Sequence, residues 1–364
     1  MLAKRLSPHD IARCDPADLV GAILLAPVRL PAGTLRKGSW INADAAAALT
    51  AAAQAGELGD PIQLACPGAD DLHEDEAAER LADAVAGAGV VRRAPRQSRL
   101  DLLAEWDGVV HIDIGRLFRL NTIDPLEIFT LFHGQAVRSG QVIASVKVAP
   151  HLIPAPVVDE GVRVARESGT VIEVRPYLLL EVAAIVSSQV SSGDRARFEA
   201  GARLKVEALG SHFLGTLQIA SQDQAEAQRE IEAGLRDLAV QRGVPVILVG
   251  GVSAGDPLSP FYGALESLGG RILRHGVPAH PGSMIWLGEL SGSRLLGLPQ
   301  CGMFTLATAA DLILPRLLTG ERLTARELAE LAHGGLLTPE MRFRFPPYAQ
   351  NLEAPEDEQR AFGT

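Results

Sequence analysis

The chain has 364 residues, 47% of them hydrophobic and 21% charged, a globular composition in a length that suits two or three units. Its formal net charge of −10 gives no support to a nucleic-acid partner, whose phosphates it would repel. Three cysteines without C-x-x-C spacing argue against a disulfide framework or structural zinc, and no apolar run reaches the ~18 residues that span a bilayer.

The first ten residues lack the apolar core of a signal peptide. A cytoplasmic protein with no membrane partner is therefore expected. Residues 17–60 read as a β-rich N-terminal unit within 1–60. An apolar run over 19–27 and strand–turn–strand punctuation over 28–38 precede an alanine-rich helix over 45–55, capped by Asn42.

Residues 61–170 form a mixed α/β region. Asp70, Asp71, His73, Glu74, Asp75 and Glu76 cluster acids around one histidine. Acids at a helix N-terminus gain from the macrodipole without any metal, and residues 74–86 have the apolar spacing of a surface helix. Arg92, Arg93, Arg96 and Arg99 are the densest basic stretch; a solvated loop accounts for them better than a phosphate cleft. On a strand over 109–114, His111 and Asp113 share a face and are candidates for an acid–base pair. Lys147, alone among apolar residues of a strand over 141–150, needs a partner if it points inward.

From residue 171 the pattern becomes alternating strands and helices, which predicts a parallel α/β unit over 171–335. Strands are expected over 178–186, 213–219 and 244–249, and helices over 195–209, 222–242 and 260–268. Gly210 and Gly243 stop the first two helices. The run 244–249 lacks alternation, as a strand covered on both faces should. It leads into Gly250-Gly251-Val252-Ser253-Ala254-Gly255-Asp256, whose glycines free the backbone for tight turns and close approach of a ligand. A plain strand-to-helix connection would carry the same Gly-Gly pair. Helices over 311–318 and 325–333 follow. Residues 336–364 form a tail, with an aromatic, proline-rich segment over 341–348 that docks on the chain itself or on a partner.

Four pieces in order carry a resemblance: Val249-Gly250-Gly251-Val252-Ser253-Ala254-Gly255-Asp256; 268–278 (Leu-Gly-Gly-Arg-Ile-Leu-Arg-His-Gly-Val-Pro); Pro281-Gly282; and Gly297-Leu298-Pro299. Together, over roughly residues 175–320, they resemble the molybdopterin-binding domain of molybdenum insertases and molybdopterin adenylyltransferases. The resemblance implies a C-terminal doubly wound parallel sheet, preceded by a smaller mixed α+β region. It also implies that the glycine loop lies over the pterin or its phosphate while the other loops complete the pocket. Carried over by position, the cofactor-binding residues would be Gly250, Gly251, Val252, Ser253, Gly255, Pro281, Gly282, Leu298 and Pro299. Asp256 would be the catalytic and metal-holding acid. Molybdopterin is the implied ligand, with Mg²⁺ and molybdate as further expectations. Implied partners are the pterin itself, a second copy of the chain, and other cofactor-biosynthesis proteins or molybdoenzymes.

The departures bear on catalysis. Where the family has Thr-Gly-Asp-Glu after the first strand, this chain has Ser187-Ser188-Gln189-Val190. Ser283-Met284 replaces Lys-Pro after Pro281-Gly282, and Gln300-Cys301 replaces Gly-Asn after Pro299. Asp194 is a candidate substitute acid or a helix cap. Cys301 is a soft metal ligand or a small buried residue. His275 and His280 read as polar loop residues. A non-catalytic pterin carrier or sensor, or a module for another phosphorylated metabolite, are the alternatives.

Overall fold

The computed structural model describes residues 1–95, 99–304 and 307–350, without the side chains of Gln300 and Cys301. The chain divides into two compact units. One comprises Met1–Glu105, His111–His133 and Ser139–Val174; the other comprises Trp106–Val110, Gly134–Arg138 and Arg175–Thr364.

In the first unit, antiparallel strands Leu2–Leu6, Ile62–Cys66 and Ile23–Leu24 form a small sheet. Ile11, Leu24, Leu49 and Leu64 make its core. The helix Ala43–Gln54 starts where the Asn42 side chain accepts the Ala45 N–H at 2.9 Å. A second antiparallel sheet orders Leu126–Thr130, Val142–Val148, Arg99–Ala104 and Val90–Arg92. Lys147 is half-buried and stands opposite Glu127 on one neighbouring strand and Arg99 on the other.

The acidic segment forms the helix Glu74–Val85, capped by His73. His73 Nδ1 accepts the Asp75 N–H, and Glu74 lies 2.9 Å from His151. Among the described residues no three His, Cys, Asp or Glu side chains converge as metal ligands. Arg92 pairs with Asp83, while Arg93 and Arg99 pair with Asp101; Arg96 lies outside the described residues. The proposed His111–Asp113 pair does not form as a shared strand face. The strand ends at Ile112, and Asp113 caps the next helix and holds Arg116. A carboxylate at a helix start gains two N–H partners that the strand could not supply. His111 packs edge-on against His133 at 5.3 Å.

The second unit holds the site. Its elements are β1 (Glu181–Val186), α1 (Ser192–Ala208), β2 (His212–Gln218), α2 (Gln224–Leu235), β3 (Val246–Gly250), α3 (Pro260–Ser267), β4 (Arg271–His275), β5 (Trp286–Leu290), β6 (Ser293–Leu298) and α4 (Ala309–Leu318). The sheet order is β2-β1-β3-β6-β5-β4. Strands β2, β1, β3 and β6 are parallel; β5 runs antiparallel to both neighbours. The sheet is therefore mixed rather than wholly parallel. The two-residue connection Ser291-Gly292, both at positive φ, turns β5 directly into β6, and a hairpin that short permits only antiparallel pairing.

Alternation on the central strands serves two cores. Val182, Ala184, Val186, Val246 and Leu248 meet Phe198 and Val206 of α1 and the residues of α4 on one face. Ala183, Ile185, Ile247 and Val249 meet Ile231 of α2 and Phe261 of α3 on the other. Helices thus cover both faces, as double winding requires. The first strand begins later than expected, at Glu181, because Leu178 bonds Leu318 and Leu179 turns out to solvent. Helix α2 widens at its end into a π-helical turn, Arg236–Gln241, before Gly243 stops it. The aromatic segment docks on this unit's own core, with Phe345 only 1% exposed.

Candidate functional site

The chain order β1, β2, β3 against the spatial order β2-β1-β3 makes the sheet reverse direction between β1 and β3. Open α/β sheets bind ligands in the crevice outside such a reversal, at the strands' C-terminal ends. Register sets Val186, Gly250 and Leu298 side by side at that edge. The loops that follow these three residues are therefore neighbours.

Each turn of the glycine loop is tied to a distant part of the unit. Gly251 N–H donates to Leu298 O at 2.9 Å, and Gly250 O accepts the Ser187 N–H at 3.0 Å. Ala254 N–H donates to Met284 O at 3.0 Å. These bonds bring the segments 250–256, 281–284 and 298–299 together, although they are scattered over fifty residues of sequence. Trp286 Nε1–H donates to Val252 O at 3.1 Å, and the Tyr262 hydroxyl donates to Ser253 O at 2.9 Å. The two rings lie against each other at 5.6 Å, with Phe261 and His275 alongside.

Glycine is required at the base of the loop by contact. A Cβ on Gly250 would come within 2.9 Å of the Met303 methyl and 3.3 Å of the Phe198 ring. One on Gly251, at φ +80, would meet Val190 at 2.7 Å. Gly282 sits on the start of α4, where a Cβ would lie 2.8 Å from Ala309 N, and Pro281 O accepts that same N–H. Leu298 and Pro299 are buried. Gly255 differs: its imagined Cβ meets only Met284 Sδ and Ser253 Oγ, both at an ordinary 3.7 Å.

The polar groups lie in the outer part. Ser253 Oγ accepts the Gly255 N–H, and Asp256 Oδ1 accepts the Leu258 N–H at 3.2 Å. Asp256 is exposed. Among the described residues, no acceptor meets the amide N–H of Val252 or Ser253. Backbone N–H groups left without an acceptor beyond a strand end are available to an anion. Burial, and then the nearby Asp256 charge, push the Tyr262 hydroxyl up to about 12, so it is a stable donor to the loop. Below the loop, a cavity of about 20 Å³ is lined by Ser187, Ser188, Val252, Ser259 and Phe261. It admits a water-sized group.

No family model and no curated protein matches the chain. Among solved structures, the chain is similar to the molybdopterin biosynthesis enzyme MoaB from Thermus thermophilus, at 19% identity over 40% of this chain and 98% of that one, with a TM-score of 0.28. A second similar structure is the molybdopterin biosynthesis protein MoeA from Pyrococcus horikoshii, at 14% identity, 68% and 79% coverage and a TM-score of 0.26. A third is a molybdopterin biosynthesis protein from Mycobacterium abscessus, at 15% identity, 42% and 94% coverage and a TM-score of 0.27. Superpositions this loose set no residue-by-residue correspondence, and the site rests on its own geometry.

The other candidates resolve as follows. Asp194 lies in the first turn of α1, whose N-cap is Ser191: its N–H donates to Ser191 Oγ and its carboxylate accepts the Ser191 hydroxyl at 2.8 Å. His275 meets Tyr262 edge-on, and the His280 backbone bridges Gly335 and Leu337. The side chain of Cys301 lies outside the described residues. Trp286, Tyr262 and Met303 were not singled out from sequence. Only Trp286 leaves a mark in the sequence, at Gly297, where any Cβ would overlap its ring.

Proposed function

We propose that this chain binds molybdopterin or its adenylylated form in molybdenum-cofactor biosynthesis. The observation that carries the reading is the convergence of segments 250–256, 281–284 and 298–299 at the sheet's switch point, through the bonds Ala254 to Met284 and Gly251 to Leu298. The Val252 and Ser253 N–H groups would hold a phosphate oxygen, and Ser253 Oγ–H would donate to a second. Asp256 would accept from the pterin ring's N–H groups. Gly250, Gly251, Pro281, Gly282, Leu298 and Pro299 would shape the cradle by packing rather than by touching ligand. Gly255 would let the ligand approach the backbone.

The carrier or sensor reading is favoured over the insertase-like one by the acid inventory. Asp256 is the one carboxylate on the glycine loop, and it already caps a turn. Mg²⁺ needs further oxygen ligands, which the described residues do not supply as a cluster. Among the described residues the side chains do not form a metal cage. A second copy of the chain, other cofactor-biosynthesis proteins and molybdoenzymes remain the partners such a carrier would serve.

Two measurements test the reading. Protein purified from cells that make molybdopterin should carry a pterin detectable by mass spectrometry; its absence, with no binding of added molybdopterin, would leave the reading for another phosphorylated metabolite. Incubation with adenylylated molybdopterin should release no AMP. Release that disappears in Asp256→Asn would restore the catalytic reading.

A further inference from the structure

Pro281-Gly282 is followed by Ser283-Met284, so that segment brings no cation to the glycine loop. Helix α1 supplies one. Phe198, on its second turn, lies under Gly250, 3.3 Å from where a Cβ would be. Its neighbour Arg197 stacks over the ring of Phe304, with the guanidinium carbon 4.9 Å from the centroid. Phe304 follows the turn Gln300–Met303, and Met303 in turn touches Gly250. Two consecutive residues of α1 are thus keyed to the glycine loop and to the segment after Leu298-Pro299.

Arg197 stays 70% exposed at the side chain, and its ion-pair partner is Asp194 at 3.6 Å, itself part of the Ser191 cap. A stacked guanidinium is held by its face, which leaves its planar N–H edge directed outward for a bidentate oxyanion contact. One Asp194 oxygen accepts the Ser191 hydroxyl, and the other lies 3.6 Å from Arg197, beyond hydrogen-bond distance.

We infer that Arg197 is the phosphate-binding cation of this site, gripping the phosphate end of an organic phosphate seated on the Gly250–Asp256 loop. The inference deepens the pterin reading and rests on it for the ligand's remaining part.

The test measures equilibrium binding to the full chain of three probes: a pterin methyl phosphate, the corresponding pterin alcohol, and inorganic pyrophosphate. Wild type should prefer the phosphate ester over the alcohol. Arg197→Gln should lose about tenfold or more in affinity for the ester and for pyrophosphate, with the alcohol unchanged, and Arg197→Lys should recover part of the loss. A preference left intact in Arg197→Gln overturns the inference while the pterin reading stands. Pyrophosphate binding that depends on Arg197, without binding of either pterin, overturns the pterin reading and keeps the arginine. Binding of none of the probes overturns both. Matched melting curves of the variants separate lost contact from lost fold.

Discussion

The two halves of the glycine loop are held by different physics. Its base, Gly250 to Val252, is locked by sterics and by bonds to buried partners: Met303, Val190, Leu298 and Trp286 leave no room for a Cβ and no slack in the backbone. Its outer half, Ser253 to Leu258, is exposed from Gly255 onward; apart from the ties of Ser253 O to Tyr262 and of Ala254 N–H to Met284 it holds itself by local side-chain-to-backbone bonds, and it leaves space around Gly255. A glycine motif can therefore be structural at one end and open to ligand at the other. Substitution in the base should cost stability, and substitution in the outer half should change binding alone.

The largest break is expected one step behind the base. Gly297→Ala would drive a methyl into the Trp286 ring, and the ring cannot leave without releasing Val252. Overpacking of this kind costs about 3 kcal/mol or more, read as a lowered denaturant midpoint. Gly251→Ala combines a φ of +80 with a 2.7 Å clash on Val190 and should cost about 2–3 kcal/mol. A Gly251→Ala protein as stable as wild type would show that the base is not locked.

Tyr262 sharpens the boundary between the halves. Its hydroxyl pKa is raised from 10.0 to about 12 by burial and by Asp256. A raised folded-state value means that the contribution is fully present below pH 10 and is lost as pH rises through about 12. Tyrosinate absorbance should show one late-titrating hydroxyl in that window, and Tyr262→Phe should remove it while costing about 1 kcal/mol for the lost bond to Ser253 O. Smallest of all, Gly255→Ala should change stability by less than about 0.5 kcal/mol yet weaken binding of a pterin phosphate. An unchanged affinity would place the ligand elsewhere.

Legibility in the sequence followed the range of the interactions. Gly210 and Gly243 ended their helices at positive φ, and Asn42 capped its helix, because each is decided within one turn of backbone. The buried run at β3 was readable from its lack of alternation. His111 and Asp113 misled, since strand periodicity was carried one residue past the point where a cap took over.

What the sequence by itself determined is the alternation of strands and helices in the second unit and the positions where glycine leaves the backbone free, since propensity, capping and periodicity act over a few residues. Tertiary structure alone decided that β5 joins the sheet reversed, that Trp286 and Tyr262 anchor the loop's carbonyls, and that Arg197 stands over Phe304. The last contact joins residues more than a hundred positions apart. Nothing local encodes it; it exists because β1, β3 and β6 lie side by side in register and bring the chain that follows each of them to one edge.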